Sequence, residues 1–542
     1  MKKRILSLLL ALTMTASLTA CGGSSSGGNS YKGNTAVGGL SGIGDGFTNS
    51  VVADTAFAPD FGEVIESNYE MPEVEYNTNE FEDITENRFV SVKTSPLSTF
   101  AADVDTASYG VFRRNVLDGI VPPTDAIHIE EMINYFNYDY VTPENGEPFA
   151  CTTEVIQCPW NPDTLLMSVN IATEKINTSD MPASNLVFLL DVSGSMDGPD
   201  RLDLVKRSFK LLCEQLKSND TISIVTYASS DQVLIDGAKG DEADIIMQAI
   251  EELYAGGSTN GSAGIVTAYE LAEKHFIEGG NNRVILATDG DLNVGTTSEG
   301  ELEDLISEKK KSGVFLSVMG FGYGNYKDNK LETLADKGNG NYHYIDSIME
   351  ARKALVDDMG GNLLTVAKDV KLQVEFNPNI IKGYRLIGYE NRLMRAEDFA
   401  DDTKDGGELG AGHKVTALYE IATVDSAYEI PDIDLKYQDR QVITNDVNNP
   451  IEICTVNIRC KEPDKDESKL WEFPVNYAIS ENMSDNLRLA SAVAQVGMLV
   501  RESEFIGTAT YENVIEQLKG LAETDALVDE FIYLVERLSR MG

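Results

Sequence analysis

Oxygen-bearing side chains follow an apolar run in the segment NLVFLLDVSGSMDG, residues 185–198. Asp191, Ser193 and Ser195 stand at alternate positions directly after the apolar letters LVFLL. Three kinds of site fit these residues: a serine nucleophile, a metal site built from oxygen ligands, or an ordinary turn. The segment by itself does not separate the three.

Two further oxygen-bearing residues occupy corresponding places later in the chain. Thr259 lies in the loop AGGSTNGSAG, and Asp289 ends the apolar run RVILATDGD. Ligands of doubly wound folds gather at the carboxyl ends of the parallel strands, so we expect these side chains near Asp191. All the residues in this set offer oxygen and none offers sulfur or nitrogen, which suits a hard divalent cation. The sequence therefore predicts a cation site for Mg²⁺, with Mn²⁺ or Ca²⁺ as alternatives.

A serine nucleophile would need a base and a suitable local motif. The segment DVSGSMD is not G-x-S-x-G, and no Ser-x-x-Lys follows either serine. The histidines of the chain lie outside the loops predicted to follow the early strands; they are His128, His275, His343 and His413. No catalytic residue is therefore predicted. Three separate pieces at three strand ends also argue against an ordinary turn.

Short apolar runs must position these residues. The runs LVFLL, TISIVTYA, NRVILATDG and VFLSVMGFG are typical of parallel strands covered on both faces. Helical patterns fall between them, near 201–217, 241–254, 262–277 and 299–312. This alternation predicts a doubly wound, Rossmann-like α/β domain over residues 184–360.

The segments on either side follow other patterns. Residues 91–183 combine two helical patterns, near 106–118 and 124–136, with strand-like runs, which predicts an N-terminal α+β flanking domain. Residues 361–542 predict a C-terminal domain that is β-rich over 364–480 and helical over 484–541.

The first residues predict export. Residues 1–20 have a basic start, an apolar core and small residues before Cys21, as in a secretion signal. The letters LTAC at 18–21 resemble a bacterial lipobox, which implies cleavage before Cys21 and a diacylglyceryl group on its sulfur. Two acyl chains suffice for stable membrane attachment. We expect a lipid-anchored protein on the extracytoplasmic face of the cell membrane, with residues 21–90 as a flexible acidic tether.

The charge balance limits the partners. The chain has 44 Lys and Arg against 88 Asp and Glu, a net charge of −44. Such a surface repels nucleic acid and favours cations or basic partners, so no nucleic-acid binding is expected. With Cys21 acylated, an odd number of cysteines is left, and we predict no structural disulfide; they are Cys151, Cys158, Cys213, Cys454 and Cys460.

The pattern Asp-x-Ser-x-Ser, then Thr, then Asp-Gly resembles the metal-ion-dependent adhesion site of von Willebrand factor type A domains. By that resemblance Ser193, Ser195 and Thr259 bind the ion directly, and Asp191 and Asp289 act partly through water. A carboxylate from a partner, a protein or an envelope polymer, would complete the shell. The flanking segments, such as DVDTASYGVFRRN, resemble those of YfbK-type bacterial lipoproteins, from about residue 95 to the end.

Two other functions stay open. The first is a structural scaffold in which a carboxylate of the same chain fills the metal site. The second is an enzyme that acts on the cell envelope through the acidic loop 397–413. The acids and glycines of this loop could instead form a calcium loop, but the preferred interpretation is a solvated acidic loop. The segment 384–392 is interpreted as packing and salt bridges against neighbouring domains. Asp197, Asp200 and Asp203 are interpreted as solvated acids at a helix start rather than a second cation site.

Overall fold

The computed structural model describes residues 81, 83–144, 146–259, 261–290, 299–323, 328–431, 451–463, 465–521 and 525–541. The predicted leader (1–20), Cys21 and most of the predicted tether lie outside these residues. Within the described ranges, no helix is both long and apolar enough to cross a membrane.

The strands and helices are numbered in chain order. The strands are β1 (Val90–Ser91), β2 (Leu97–Ala101), β3 (Phe149–Gln157), β4 (Leu165–Thr173), β5 (Ser184–Asp191), β6 (Thr221–Tyr227), β7 (Asp231–Lys239), β8 (Asn281–Thr288), β9 (Phe315–Phe321), β10 (Tyr342–Ile345), β11 (Thr365–Phe376), β12 (Ile381–Ile387), β13 (Gly407–Gly410), β14 (Lys414–Thr423), β15 (Glu452–Lys461) and β16 (Ser468–Asn476). The α-helices are α1 (Ala107–Asp118), α2 (Ile129–Asn134), α3 (Leu202–Cys213), α4 (Ala243–Glu251), α5 (Gly261–Lys274), α6 (Glu299–Lys309), α7 (Asp328–Lys337), α8 (Ile348–Arg352), α9 (Met359–Leu363), α10 (Asp485–Val500), α11 (Tyr511–Leu518) and α12 (Ala526–Leu538).

A six-stranded sheet carries the predicted oxygen ligands, in the order β10-β9-β8-β5-β6-β7. All its neighbouring strands are parallel except β7, which runs antiparallel to β6. Alternate residues of β5 enter two separate apolar clusters: Val187 and Leu189 one, Phe188 and Leu190 the other. Apolar side chains project from both faces of this strand, so both faces are covered by other parts of the protein and not by water. The doubly wound α/β fold is confirmed.

Strand β7 corrects the sequence-based description, which has no strand between β6 and α4. Most of its side chains are exposed or half-buried, and Ile235 is the residue of this strand that enters the core. It lies at the edge of the sheet, where the pattern of a buried parallel strand is not required. The expected signature was therefore missing.

The flanking segments share two further sheets, although they are predicted as separate domains (91–183 and 361–542). One has the order β1-β12-β14-β4-β3, and the other joins β13, β11, β15 and β16, with β2 paired to β11. Strand β4 from the N-terminal flank pairs antiparallel with β14 from the C-terminal flank. Side chains of both sheets form one buried cluster that includes Met167, Tyr419 and Val456. The two flanks therefore fold together.

The terminal helices also join both flanks. Helices α1 and α2 contribute to the same apolar cluster as α10, α11 and α12, with Phe112 and Phe531 rings 6.1 Å apart. The helix predicted at 124–136 is shorter than expected. A 3-10 turn at Thr124–Ala126 precedes α2, which begins at Ile129.

Two arginines connect the flanks to the six-stranded sheet, the buried Arg113 and the half-buried Arg392. Arg113 of α1 contacts Asp346 at 2.5 Å and Glu350 at 2.7 Å. Arg392 contacts carboxylates from both parts of the molecule; they are Asp103, Asp105, Glu332 and Asp336. The predicted packing and salt bridges of 384–392 are confirmed by these contacts.

The predicted tether (21–90) extends too far toward the C-terminus. Phe89 is buried and its ring lies 4.5 Å from that of Tyr428. Val90 pairs with Tyr384 in β12, and Glu86 contacts Arg385 at 3.3 Å. The excess of acidic residues before residue 88 hides this, because the anchoring contacts are supplied by distant parts of the chain.

Candidate metal centre

Asp191 ends β5 and lies fully inside the protein. Its Oδ1 accepts a hydrogen bond from the Ser193 amide at 2.9 Å. Its Oδ2 accepts hydrogen bonds from the Tyr227 hydroxyl at 3.1 Å and the Thr288 hydroxyl at 3.0 Å. The carboxylate orientation is thus set by three neighbouring strands, β5, β6 and β8.

A second carboxylate affects the titration of Asp191. Burial raises the pKa of Asp191 to about 6, the hydrogen bonds from Ser193 lower it, and the charge of Asp289 raises it. Asp289 is buried directly after β8, the strand that lies beside β5. Two close carboxylates in a buried place repel each other, and a cation between them would remove that cost.

The two serines lie side by side after β5. Ser193 is buried, Ser195 is half-buried in a 3-10 turn, and their Oγ atoms are 2.9 Å apart. Arg201 holds this turn, since its guanidinium donates to the Ser195 carbonyl at 3.0 Å. The backbone of this turn therefore places both hydroxyls together at the carboxyl end of β5.

The loop that carries Thr259 is attached to this same turn. Gly194 donates its amide to the Gly257 carbonyl at 3.1 Å, and Gly256 donates to the Val192 carbonyl at 2.8 Å. Gly257 has φ +86, and a Cβ there would lie 2.7 Å from Ser229 Oγ. Only glycine fits this position without strain. Thr259 is half-buried and follows two residues after Gly257, the residue whose carbonyl accepts from Gly194.

Four of the five predicted residues lie together at the carboxyl ends of β5 and β8, and the fifth, Thr259, lies in the loop attached to them. Asp191, Ser193 and Ser195 are connected by direct hydrogen bonds, Asp289 acts on Asp191 electrostatically, and Thr259 follows the loop contact. These hydroxyls and carboxylates fit a hard divalent cation. The sequence reasoning missed Tyr227 and Thr288, whose positions at strand ends beside Asp191 were the available signal.

The acids that follow Ser195 do not gather around a common point. Asp200 forms an ion pair with Arg114 at 2.9 Å, and Asp197 and Asp203 are exposed. Among the described residues, two further groups of buried side chains place their ligand atoms within 4.8 Å of one another. The first group is His128, Glu131 and Glu332, and the second is Asp103, Asp105 and Glu332. Arg392 already supplies a positive charge to the second group.

The acidic loop 397–413 is held by lysines, while its acids stay exposed or half-buried. Lys371 donates to the Asp401 carbonyl at 2.6 Å, and Lys310 contacts Asp405 at 3.0 Å. Glu408 is half-buried in β13, and burial raises its pKa well above the usual range. The acids of this segment are exposed or half-buried, in agreement with a solvated loop, and the two lysines attach the loop to β11 and to the turn after α6.

Three family models match the chain. The von Willebrand factor type A domain model covers residues 185–357, and a model described as the C-terminal part of the uncharacterized protein YfbK covers 361–541. A further model described as von Willebrand factor covers 75–168.

Several known proteins are similar to this chain. The uncharacterized protein YfbK of Escherichia coli K12 is 40% identical over 475 residues, which span 85% of this chain and 81% of the relative. Inter-alpha-trypsin inhibitor heavy chain H3 of Bos taurus is 23% identical, over 48% of this chain and 30% of the relative. Among solved structures, a von Willebrand factor type A protein from Catenulispora acidiphila has 15% identity and a TM-score of 0.39, covering 72% of this chain and 89% of its own.

Proposed function

The chain belongs to the YfbK family and contains a von Willebrand factor type A domain. On this basis we propose that it binds a divalent cation at the carboxyl ends of β5 and β8 and holds a ligand through that cation. Mg²⁺ suits the hydroxyl and carboxylate ligands best, with Mn²⁺ and Ca²⁺ as alternatives. The ligand is a protein or an envelope polymer that offers a carboxylate. The chain acts as a binding protein and not as an enzyme.

One observation carries this proposal. The Oγ atoms of Ser193 and Ser195 lie 2.9 Å apart, at the same end of the central strands as two buried carboxylates, Asp191 and Asp289. Hydroxyl pairs of this kind can share one small cation while leaving part of its shell to water or a ligand.

Each residue of the set has a separate part in this arrangement. Asp191 is oriented by donors on both of its oxygens, so it can accept from metal-bound water without reorienting. Ser193, Ser195 and Thr259 supply neutral oxygens. When bound, the ion supplies a positive charge that attracts a carboxylate of the ligand.

The proposed location is the extracytoplasmic face of the cell membrane, with Cys21 lipidated. The basic start of the chain, its apolar leader and the letters LTAC at 18–21 support this. Mass spectrometry of the membrane fraction tests it: Cys21→Ala should lose the acyl groups and release the chain.

A capture experiment tests the function. The mature chain is used to capture proteins and envelope fragments from the same cells in Mg²⁺ and in EDTA. Ligands held through the ion are absent in EDTA and absent with Asp191→Ala. Asp203→Asn, whose carboxylate is exposed on α3, is the matched control and should retain them. Capture of the same ligands by Asp191→Ala in Mg²⁺ as by the parent chain in Mg²⁺ would contradict the proposal.

A scaffold is the second candidate, because the flanks interleave in two sheets and are joined to the central sheet through Arg113 and Arg392. In that case a carboxylate of the same chain coordinates the ion and fills the position that a ligand would take. The capture experiment then finds no ligand that depends on Mg²⁺, while Mg²⁺ still raises the melting temperature of the isolated chain.

A further inference from the structure

A cleft of about 440 Å³ lies away from the metal centre, between the flanks and the six-stranded sheet. Its walls come from the segment after α2, the segment after β4, the residues from α8 to α9, and the turn before β14. None of the five predicted metal ligands lines it. This volume is in the range of pockets that hold small organic molecules.

Three lysines converge on this cleft, Lys175, Lys353 and Lys414. Burial lowers the pKa of Lys414, Asp139 opposes this, and the charges of Lys175 and Lys353 lower it further. The lysines are therefore close enough to repel one another. Such a concentration of positive charge is unusual in a chain with a net charge of −44.

Most acids of the cleft already have a cation. Lys353 forms an ion pair with Asp358, Glu350 contacts Arg113 at 2.7 Å, and Asp357 lies 4.0 Å from Arg352. Asp139 is the remaining acid of the lining. Lys175 forms no ion pair with any described residue, and Lys414 donates to the Tyr138 carbonyl, a neutral acceptor. Both lysines are left with charge for an additional partner.

Two neutral histidines add hydrogen-bonding groups. His413 Nδ1 accepts the Gly410 amide at 3.0 Å, so its Nε2 carries the proton and can donate. His343 is 5% exposed, and its Nε2 has no hydrogen-bond partner among the described residues. Burial lowers the pKa of His343 to about 4, and the charge of Lys353 contributes. Burial also lowers the pKa of His413 to about 4. A buried polar nitrogen without a partner is costly unless a ligand satisfies it.

We propose that this cleft binds a small organic anion through a carboxylate or phosphate group. Lys175 and Lys414 balance its charge, and the Nε2 atoms of His343 and His413 hydrogen-bond to it. The site is independent of the metal centre and does not depend on the proposed function.

Calorimetry with the Asp191→Ala chain, stripped of metal with EDTA and then dialysed into buffer without EDTA, tests this proposal, because no anion can then act through a bound metal and no chelator competes for the cleft. The probes are succinate for the carboxylate, inorganic phosphate for the phosphate, and glucose as a neutral compound. We expect saturable binding of succinate or phosphate and none of glucose. The anion that binds identifies which of the two groups the cleft accepts.

Variants locate the binding. Lys414→Met should weaken it by at least about tenfold, which corresponds to about 1.4 kcal/mol. Lys311→Met, at an exposed lysine outside the cleft, should leave it unchanged. Lys175→Met provides a second variant at the exposed rim in case Lys414→Met fails to fold. Absence of saturable binding by either anion, or equal binding by Lys175→Met and the parent chain, would overturn the proposal.

Discussion

The Tyr227 hydroxyl donates a hydrogen bond of 3.1 Å to Oδ2 of Asp191, deep inside the six-stranded sheet. Tyr227 ends β6 and Asp191 ends β5, and the two residues pair directly in register. The same oxygen accepts from Thr288 of β8. The carboxylate at the centre of the proposed metal site is therefore oriented from both sides before any ion binds.

Replacing Tyr227 by Phe should weaken Mg²⁺ binding about tenfold, because donors behind a ligand commonly affect affinity to that extent. Calorimetric titration measures it. The fold should persist with a loss of about 1 kcal/mol of unfolding free energy. Tyr344→Phe is the matched control: its hydroxyl donates to the Gly322 carbonyl at 2.8 Å and does not contact Asp191. Equal Mg²⁺ affinity of Tyr227→Phe and the parent chain would argue against this orientation.

The loop that carries Thr259 offers a pair of glycine variants. Gly257→Ala introduces a Cβ that would lie 2.7 Å from Ser229 Oγ, at a φ of +86. It should displace the loop, weaken Mg²⁺ binding and lower the melting temperature. Gly256→Ala is the control, since a Cβ there meets nothing within 4 Å. If both alanine variants bind Mg²⁺ like the parent chain, the loop does not contribute a ligand.

Arg392→Gln should reduce the unfolding free energy by about 3 kcal/mol or more, because removal of one partner leaves buried charges uncompensated. Arg392 contacts Glu332 at 2.8 Å and Asp103 at 3.0 Å, and its side chain is 12% exposed. Urea unfolding followed by circular dichroism measures the loss. Arg395→Gln, three residues further at an exposed position, should change stability little. Similar midpoints for both variants would show that the ion-pair network is not important for stability.

Glu130 predicts a pH dependence of stability. Burial raises its pKa from 4.5 to about 7, and His128, whose Nδ1 lies 3.8 Å away, opposes the increase. The unfolded state releases this proton at a lower pH than the folded state. The associated stability is complete below about pH 4.5 and is lost as the pH rises through 7. Between these limits the parent chain should lose about 3 kcal/mol relative to Glu130→Gln.

Unfolding of both chains in urea at pH 5 and pH 8 measures this difference. Glu512→Gln, at an exposed glutamate of α11, should follow the parent chain at both values. A parallel response of Glu130→Gln and the parent chain would mean that Glu130 does not titrate in this range.

Local pattern was sufficient for the parallel strands of the central sheet and indicated the candidate ligands at their ends. The apolar runs that end at Asp191 and Asp289 identify buried parallel strands, and polar residues at such strand ends have few other purposes. Tyr227 was overlooked because a tyrosine at the end of an apolar strand has the same pattern as a packing residue. Its hydroxyl acquires a role only through the neighbouring strand.

Pairing between distant segments could not be read from local pattern. Strand β4 alternates like any antiparallel strand, but nothing in its letters indicates that Leu418 of β14 lies opposite Ser168. The same holds for Arg392, whose carboxylate partners are separated from it by 56 to 289 positions. Packing of both flanks around shared cores decides these contacts.

Calorimetric titration of Mg²⁺ into the purified chain, after removal of metal with EDTA, measures directly whether the candidate site holds an ion. We expect saturable binding by the parent chain and by Asp203→Asn, and none by Asp191→Ala. Mn²⁺ and Ca²⁺ are titrated in parallel, and each bound ion should also raise the melting temperature. Undiminished binding by Asp191→Ala, or no binding of any of the three ions by the parent chain, would contradict this expectation.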